Sequence, residues 1–192
     1  MAYSSLLPDE AASIASDQCR SYTSAIGSGV ERAMIEDVRN FAQSARTHER
    51  FVQYAEIRFV YEMLLMEGGF DKILALVNSW VENDANVDRA ACHVQREPTV
   101  RGQALVRAFC IFRLKKLDGP QWEFLDNYGA QDPRLEEQGP QTVVFIALTQ
   151  LCHQNGFFIN LEAGQDVCID STAGLIFPPE GGGLGVFVCL NL

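Results

Sequence analysis

The sequence has no long hydrophobic run. Its longest stretch of consecutive apolar residues is the six-residue run from Val143 to Leu148, whereas a helix needs about 20 apolar residues to span a bilayer. The first thirty residues also lack a basic start followed by an apolar run, which is the pattern of a secretory signal peptide. We therefore expect an intracellular, cytoplasmic protein that is not secreted and has no membrane partner.

The cysteines lack the C-x-x-C spacing that is typical of redox motifs and many zinc sites. Most of them lie among apolar neighbours, as buried and reduced thiols do. The six residues are Cys19, Cys92, Cys110, Cys152, Cys168 and Cys189. An even count permits three disulfides, but a 192-residue chain has less need of them than a small secreted domain. This pattern also favours an intracellular compartment.

Two Cys-His pairs, Cys92-His93 and Cys152-His153, raise the question of a zinc site or a thiol nucleophile. Zinc ligands are normally separated by two to five residues, and adjacent helical residues point about 100° apart, so convergence on one ion is disfavoured. A catalytic Cys152 would need His93 or His48 from elsewhere in the fold, and an orienting acid such as Asp166 or Asp170. We expect no catalytic residue, no metal and no cofactor, and we keep a Cys-His thiol hydrolase or transferase as the third hypothesis.

The glycine-rich stretch from Pro178 to Gly185 lacks the Lys-Ser/Thr that completes a phosphate-binding loop. The residues that follow it, Val186 to Leu190, have the composition of a strand, whereas a phosphate loop precedes a helix. We therefore interpret the stretch as a mobile loop before a final strand.

Basic residues are nearly absent from the C-terminal part of the chain. Residues 117–192 contain Arg134 as their one cation against ten acids, whereas residues 1–116 carry fourteen cations and fifteen acids, and the net charge is −10. Directly before this change, the segment from Arg101 to Gly119 contains five basic residues. These are Arg101, Arg107, Arg113, Lys115 and Lys116. Adjacent regions of opposite charge are often complementary within a subunit or between subunits.

Apolar residues recur at helical spacing through much of the chain. The spacing predicts helices over residues 8–19, 30–45, 47–66, 70–81, 87–96 and 140–154. Short β-branched runs between turn residues predict strands over 157–161, 167–169, 175–177 and 186–190. The predicted fold class is α+β and helix-dominant, with an N-terminal multi-helix bundle followed by a small C-terminal antiparallel sheet.

The same patterns suggest a division into regions. We predict a helical domain over residues 1–117, an acidic connecting region over 118–140, and a helix with a small antiparallel β region over 141–192. The connecting region is proposed because turn signals such as Asp118-Gly119-Pro120 and Gly139-Pro140 stand among few apolar residues. One continuous domain is the alternative.

The cationic segment fits two conformations. As a helix from Val100 to Leu117, it would disperse its basic residues around the whole circumference. As a strand, it would place its even-numbered residues from Val106 to Leu114 on one apolar face, and basic and aromatic residues on the other. Strands longer than ten residues are uncommon, so the length of the segment favours the helix.

The leading functional hypothesis is a non-enzymatic interaction or self-assembly protein, such as a structural subunit of a larger particle. The cationic segment would meet an acidic surface, either in a homo-oligomer or on another protein partner. The alternative is a nucleic-acid-associated structural protein, which the overall acidity disfavours. The candidate interaction residues are Arg101, Arg107, Phe109, Phe112, Arg113, Lys115, Lys116 and Trp122.

Overall fold

A seven-stranded antiparallel sheet forms the centre of the computed structural model, which describes residues 26–27, 29–44, 51–52, 61–64, 68–93, 105–124, 142–170 and 174–191. Its strands in chain order are β1 (Ile26–Gly27), β2 (Phe51–Val52), β3 (Tyr61–Leu64), β4 (Leu105–Leu114), β6 (Thr142–Ala147), β7 (Gln165–Asp170) and β9 (Leu184–Asn191). Their order across the sheet is β1-β7-β6-β9-β4-β3-β2. A separate two-stranded sheet pairs β5 (Gln121–Phe124) with β8 (Gly174–Phe177).

In the described part of the chain, three helices cover one face of the large sheet. They are α1 (Arg32–Gln43), α2 (Phe70–Val81) and α3 (Asp84–His93). Each of the first two has an apolar side directed at the sheet, so that Ile35 and Val38 of α1 and Ile73 and Val77 of α2 are buried. These residues form one core with inward-facing residues of β4, β6, β7 and β9. The helices therefore pack against the sheet through one continuous hydrophobic core.

The opposite face of the sheet is covered by the two-stranded sheet and by the loop after β6. Aromatic rings dominate this second core. The ring of Phe157 lies 5.5 Å from that of Phe145 on β6 and 6.1 Å from that of Phe177 on β8, both edge-to-face. Aromatic pairs in this arrangement add to the stabilisation that burial provides. The fold thus has three layers: helices, the central sheet, and the small sheet with its aromatic loop.

The predicted helix-dominant bundle is wrong, because more of the described residues lie in strands than in helices. The helix expected over residues 140–154 is strand β6 followed by a loop with a short 3-10 turn at His153–Asn155. Every residue of β6 is buried, since one face meets the helices and the other meets the aromatic core. A strand buried on both faces has no polar alternation, and its apolar run resembles a buried helix.

Other predicted elements have mixed outcomes. The predicted helices over 30–45, 70–81 and 87–96 are confirmed as α1, α2 and α3, with shifted ends for the first and third. Strands contain the residues expected at 167–169, 175–177 and 186–190, whereas Leu161 forms only an isolated bridge with Leu151. Within 47–66, the described residues belong to strands β2 and β3 rather than to a helix. The helix predicted up to Cys19 lies outside the described residues.

The central sheet contains strands from both sides of the predicted acidic connecting region. β4 precedes residues 118–140 and β9 follows them, and the two strands are hydrogen-bonded neighbours. Of that region, residues 118–124 are described and include β5, whereas residues 125–140 lie outside the described part. Among the described helices, none is both long enough and apolar enough to cross a bilayer.

Candidate interaction surface

Most of the cationic segment is strand β4, which lies inside the sheet between β9 and β3. The predicted helix from Val100 to Leu117 is therefore wrong for these residues. The strand itself has ten residues, and Lys115 to Leu117 continue beyond it without regular structure. The length argument failed because only part of the segment is extended.

A β-bulge interrupts the alternation of β4. Val106 pairs with Leu190 of β9, whereas Ala108 pairs with the preceding residue, Cys189, so that Arg107 is the extra residue. Val106 packs against the core beneath the helices, and Ala108 packs against the aromatic core on the other face. A bulge places two residues opposite one and locally increases the twist. The predicted shared face of even-numbered residues therefore begins only at Ala108.

Phe112 lies in the aromatic core and not at the surface. Its side chain is 1% exposed, and its ring centroid lies 5.7 Å from that of Phe145 and 6.5 Å from that of Phe157. Gly185 stands opposite it on β9, where an added Cβ would lie 2.7 Å from Cζ of the Phe112 ring. The ring fills the space that this glycine leaves, so it is not available to a partner.

Arg113 forms an ion pair across two strands. Its Nη2 lies 2.6 Å from Oε2 of Glu62, and its Nε donates to the same oxygen at 2.9 Å. The two residues are direct register partners on β3 and β4. Both side chains remain about a quarter exposed. This part of the positive charge is therefore matched within the subunit by a nearby acid that was not considered from the sequence.

The remaining cations lie at different depths. Lys116 is exposed and Lys115 is half-buried, just after the end of β4. The backbone there is fixed, because the Leu117 N–H donates to the carbonyl of Pro179 at 2.8 Å. Trp122 lies on β5 opposite Ile176, but its side chain is outside the description. Arg101 lies outside the described residues.

Phe109 contacts a residue that was not predicted to belong to the surface. Its ring centroid lies 5.6 Å from that of Phe70, the first residue of α2, at an interplanar angle of 38°. Phe109 is half-buried, whereas Phe70 is 47% exposed and is the one exposed large apolar side chain among the described residues. In the sequence, Phe70 marks only the start of a predicted helix after Gly68-Gly69.

Neither of two comparisons with known proteins identifies a relative. No protein-family model matches the sequence, and a search of curated proteins finds no similar chain. The function must therefore be inferred from the chemistry of the described residues.

A buried polar network joins two helices to the sheet. Asp166 of β7 is 0% exposed and forms an ion pair with Arg89 of α3, at 2.6 Å from Nη1 to Oδ1 and 2.7 Å from Nη2 to Oδ2. It also accepts a hydrogen bond from the indole N–H of Trp80 on α2. Asn86 donates to the carbonyl of Trp80 and accepts from Arg89, each at 3.1 Å. In the described part of the chain, both carboxylate oxygens of Asp166 therefore lie against Arg89, and the residue joins α2 and α3 to β7.

Opposing effects act on the Arg89 guanidinium. Burial lowers its pKa, but the hydrogen bond and the charge of Asp166 offset this effect, and the pKa lies above its ordinary value. Arg89 therefore stays protonated at neutral pH.

The four described thiols are buried, and the pKa values of three of them are raised. Cys110, Cys152, Cys168 and Cys189 are all free and buried. Burial raises the pKa of Cys168 and of Cys189 to about 12, and burial followed by the nearby Cys189 raises the pKa of Cys110 well above its usual range. No group of three or more potential metal ligands occurs among the described residues. Cys19 lies outside the described residues. Cys92 lies on α3, but its side chain is not described.

We expect Cys110, Cys168 and Cys189 to resist alkylation by iodoacetamide at pH 8 in the native protein. Only the thiolate reacts, and a thiol with a pKa of about 12 is almost entirely protonated at pH 8. Mass spectrometry of peptides labelled before and after addition of urea measures this directly. Rapid native labelling of any of the three would contradict their burial, and rapid native labelling of Cys152 would revive the thiol-enzyme hypothesis.

The glycine-rich stretch from Pro178 to Gly185 is a packed connection. The Gly182 N–H donates to the carbonyl of Leu114 at 2.8 Å, and the Gly183 N–H donates to the carbonyl of Asn155 at 3.0 Å. Gly156 has a φ of 92°, and a Cβ added there would overlap the carbonyl oxygen of Glu180. These two amides bind protein carbonyls rather than an anion, and the stretch ties the end of β4 to the loop after β6.

Proposed function

We propose that this chain is a non-enzymatic interaction or self-assembly protein, in which the surface at the end of the cationic segment meets an acidic surface of a second copy. The supporting observation is the exposed Lys116, which follows the partly exposed Arg113 on a chain whose net charge is −10. Arg113 already contacts Glu62, whereas Lys116 is the most exposed of the described cations of the segment and is the one we assign to a new partner.

Acidic groups are available for such a contact on the C-terminal half of the chain. Asp118, Glu162 and Glu180 are all exposed. Opposite charges on two copies increase the rate of encounter and fix the relative orientation more than they increase the affinity. The proposal therefore includes an association that weakens with salt. It also includes an intracellular compartment, which the four free buried thiols support.

We expect sedimentation velocity to detect self-association at low salt and to show a smaller associated fraction at 1 M salt. Lys116→Glu should weaken association about two- to fivefold, the range that one exposed ion pair provides. Arg32→Glu is the matched control, because Arg32 is 91% exposed on α1 and already pairs with Glu36. A protein that stays monomeric at both salt concentrations would exclude the proposal.

Nucleic-acid association is the competing function. Its case is weakened because Phe112, one of the three aromatic candidate interaction residues, is buried in the core, whereas stacking on a base requires an exposed ring. Phe109 remains half-buried next to Phe70 and retains some exposed surface. Fluorescence anisotropy with labelled single-stranded RNA and DNA at low ionic strength distinguishes the two functions. Strong, salt-sensitive binding there would favour the nucleic-acid function.

A further inference from the structure

Phe70 extends the apolar side of α2 beyond the region that the fold covers. It precedes Ile73 and Val77 by three and seven residues, so the three side chains lie along one side of the helix. Ile73 and Val77 are completely buried, whereas Phe70 is 47% exposed. The buried part of the helix fixes the position of Phe70, because the same helix also buries Leu76 and Trp80. The exposed ring is thus held on a rigid element.

The ring of Phe109 supports Phe70 from the sheet. The two centroids are 5.6 Å apart, and Phe109 itself is half-buried. Together they form an apolar spot, the Phe70–Phe109 patch, where β4 meets the start of α2. Aromatic residues that are partly supported by their own subunit and partly exposed have the character of interface hot spots, which are enriched in large rings at the centre of a contact.

The patch has an acid and a base beside it on α2. Asp71 and Lys72 follow Phe70 directly, and both are exposed. A two-fold axis through a contact brings the same surface of each copy together, so a neighbouring acid and base become self-complementary. Because Asp71 and Lys72 offset each other, the overall charge of −10 opposes a close approach on this part of α2 less than it would at an acidic face.

We propose that the Phe70–Phe109 patch is the centre of a symmetric contact between two copies of this chain. Each Phe70 ring packs against the patch of the other copy, and Asp71 of each copy faces Lys72 of the other. A strongly charged partner, such as a nucleic acid, would gain little from the balanced pair of charges. This inference deepens the proposed self-assembly and rests on it.

Phe70→Ser should raise the dissociation constant for self-association at least about tenfold, as loss of a central aromatic residue does. Asn78→Ser is the matched control, since Asn78 is exposed on the same helix two turns away. Sedimentation equilibrium measures the constant, and circular dichroism confirms that both variants keep the fold. An associating protein whose constant is unchanged by Phe70→Ser would overturn the patch but leave the proposed function standing.

Two charge variants test the symmetry while retaining Phe70. Asp71→Lys gives two cations beside the ring and Lys72→Asp gives two acids, so each variant alone should associate more weakly than the original chain. An equimolar mixture of the two should form mixed dimers, which sedimentation or native mass spectrometry detects. No gain on mixing would contradict the pairing of Asp71 with Lys72, and a protein that is monomeric in every form would overturn the patch and the proposed function together.

Discussion

Replacing Asp166 with alanine should lower the free energy of unfolding by about 3–5 kcal/mol, the cost of removing one partner of a buried ion pair. The variant would leave the Arg89 guanidinium, which is largely buried beneath α3, without its carboxylate. It would also leave the indole N–H of Trp80 without its acceptor in a completely buried position. Because Trp80, Arg89 and Asp166 belong to three different elements, the loss should loosen the contact of α2 and α3 with β7.

Urea denaturation followed by circular dichroism measures this change. Glu36→Ala is the control, because Glu36 forms an exposed ion pair with Arg32 on α1 and should cost less than about 0.5 kcal/mol. The double variant Arg89→Met, Asp166→Leu should lose less stability than Asp166→Ala, since no charge is then left buried. If Asp166→Ala were as mild as Glu36→Ala, the ion pair would not stabilise the fold.

Helices with one buried side could be predicted from the sequence. α2 was placed at its observed bounds because apolar residues recur at helical spacing and Gly68-Gly69 stands before it. The spacing survives in the structure because only one side of the helix meets the sheet. The corresponding signal for β6 was ambiguous, since a strand covered on both faces needs apolar residues at every position.

The alternating pattern of a strand is present in the sequence of the cationic segment. The neighbours of that strand in the sheet could not be predicted from the sequence. β4 pairs with β9 across more than seventy residues of sequence, as the pairing of Phe109 with Val188 shows. The bulge at Arg107 also changes which residues of β4 face each side of the sheet, and the local sequence pattern does not indicate this change. Which residues of β4 are exposed depends on these distant partners.

The sequence did not indicate the structural role of two residues, Asp166 and Phe70. Asp166 was considered only as an aid to a catalytic thiol, because its partner Arg89 is 77 residues away. In the sequence, Phe70 is only the start of a predicted helix, because its contact with Phe109 depends on where α2 begins relative to β4. Both are determined by tertiary packing, so composition and spacing alone could not assign them.

Replacing Phe112 with alanine should destabilise the fold by about 3–5 kcal/mol, as removal of a large core ring generally does. Phe112 is 1% exposed, contacts Phe145 and Phe157, and occupies the space that Gly185 leaves open. The aromatic core can close only partly around the missing ring, because strand β4 is fixed by β9 and β3 on its two sides. Thermal and urea unfolding of the variant measure the loss.

Phe109→Ala is the matched comparison for Phe112→Ala, because both rings lie on β4 but on opposite faces of the sheet. Phe109 is only half-buried, so its removal should cost less stability than that of Phe112. It should instead weaken self-association, since it supports Phe70 in the proposed contact. Equal losses of stability for the two variants would contradict the assignment of one ring to the core and the other to the surface.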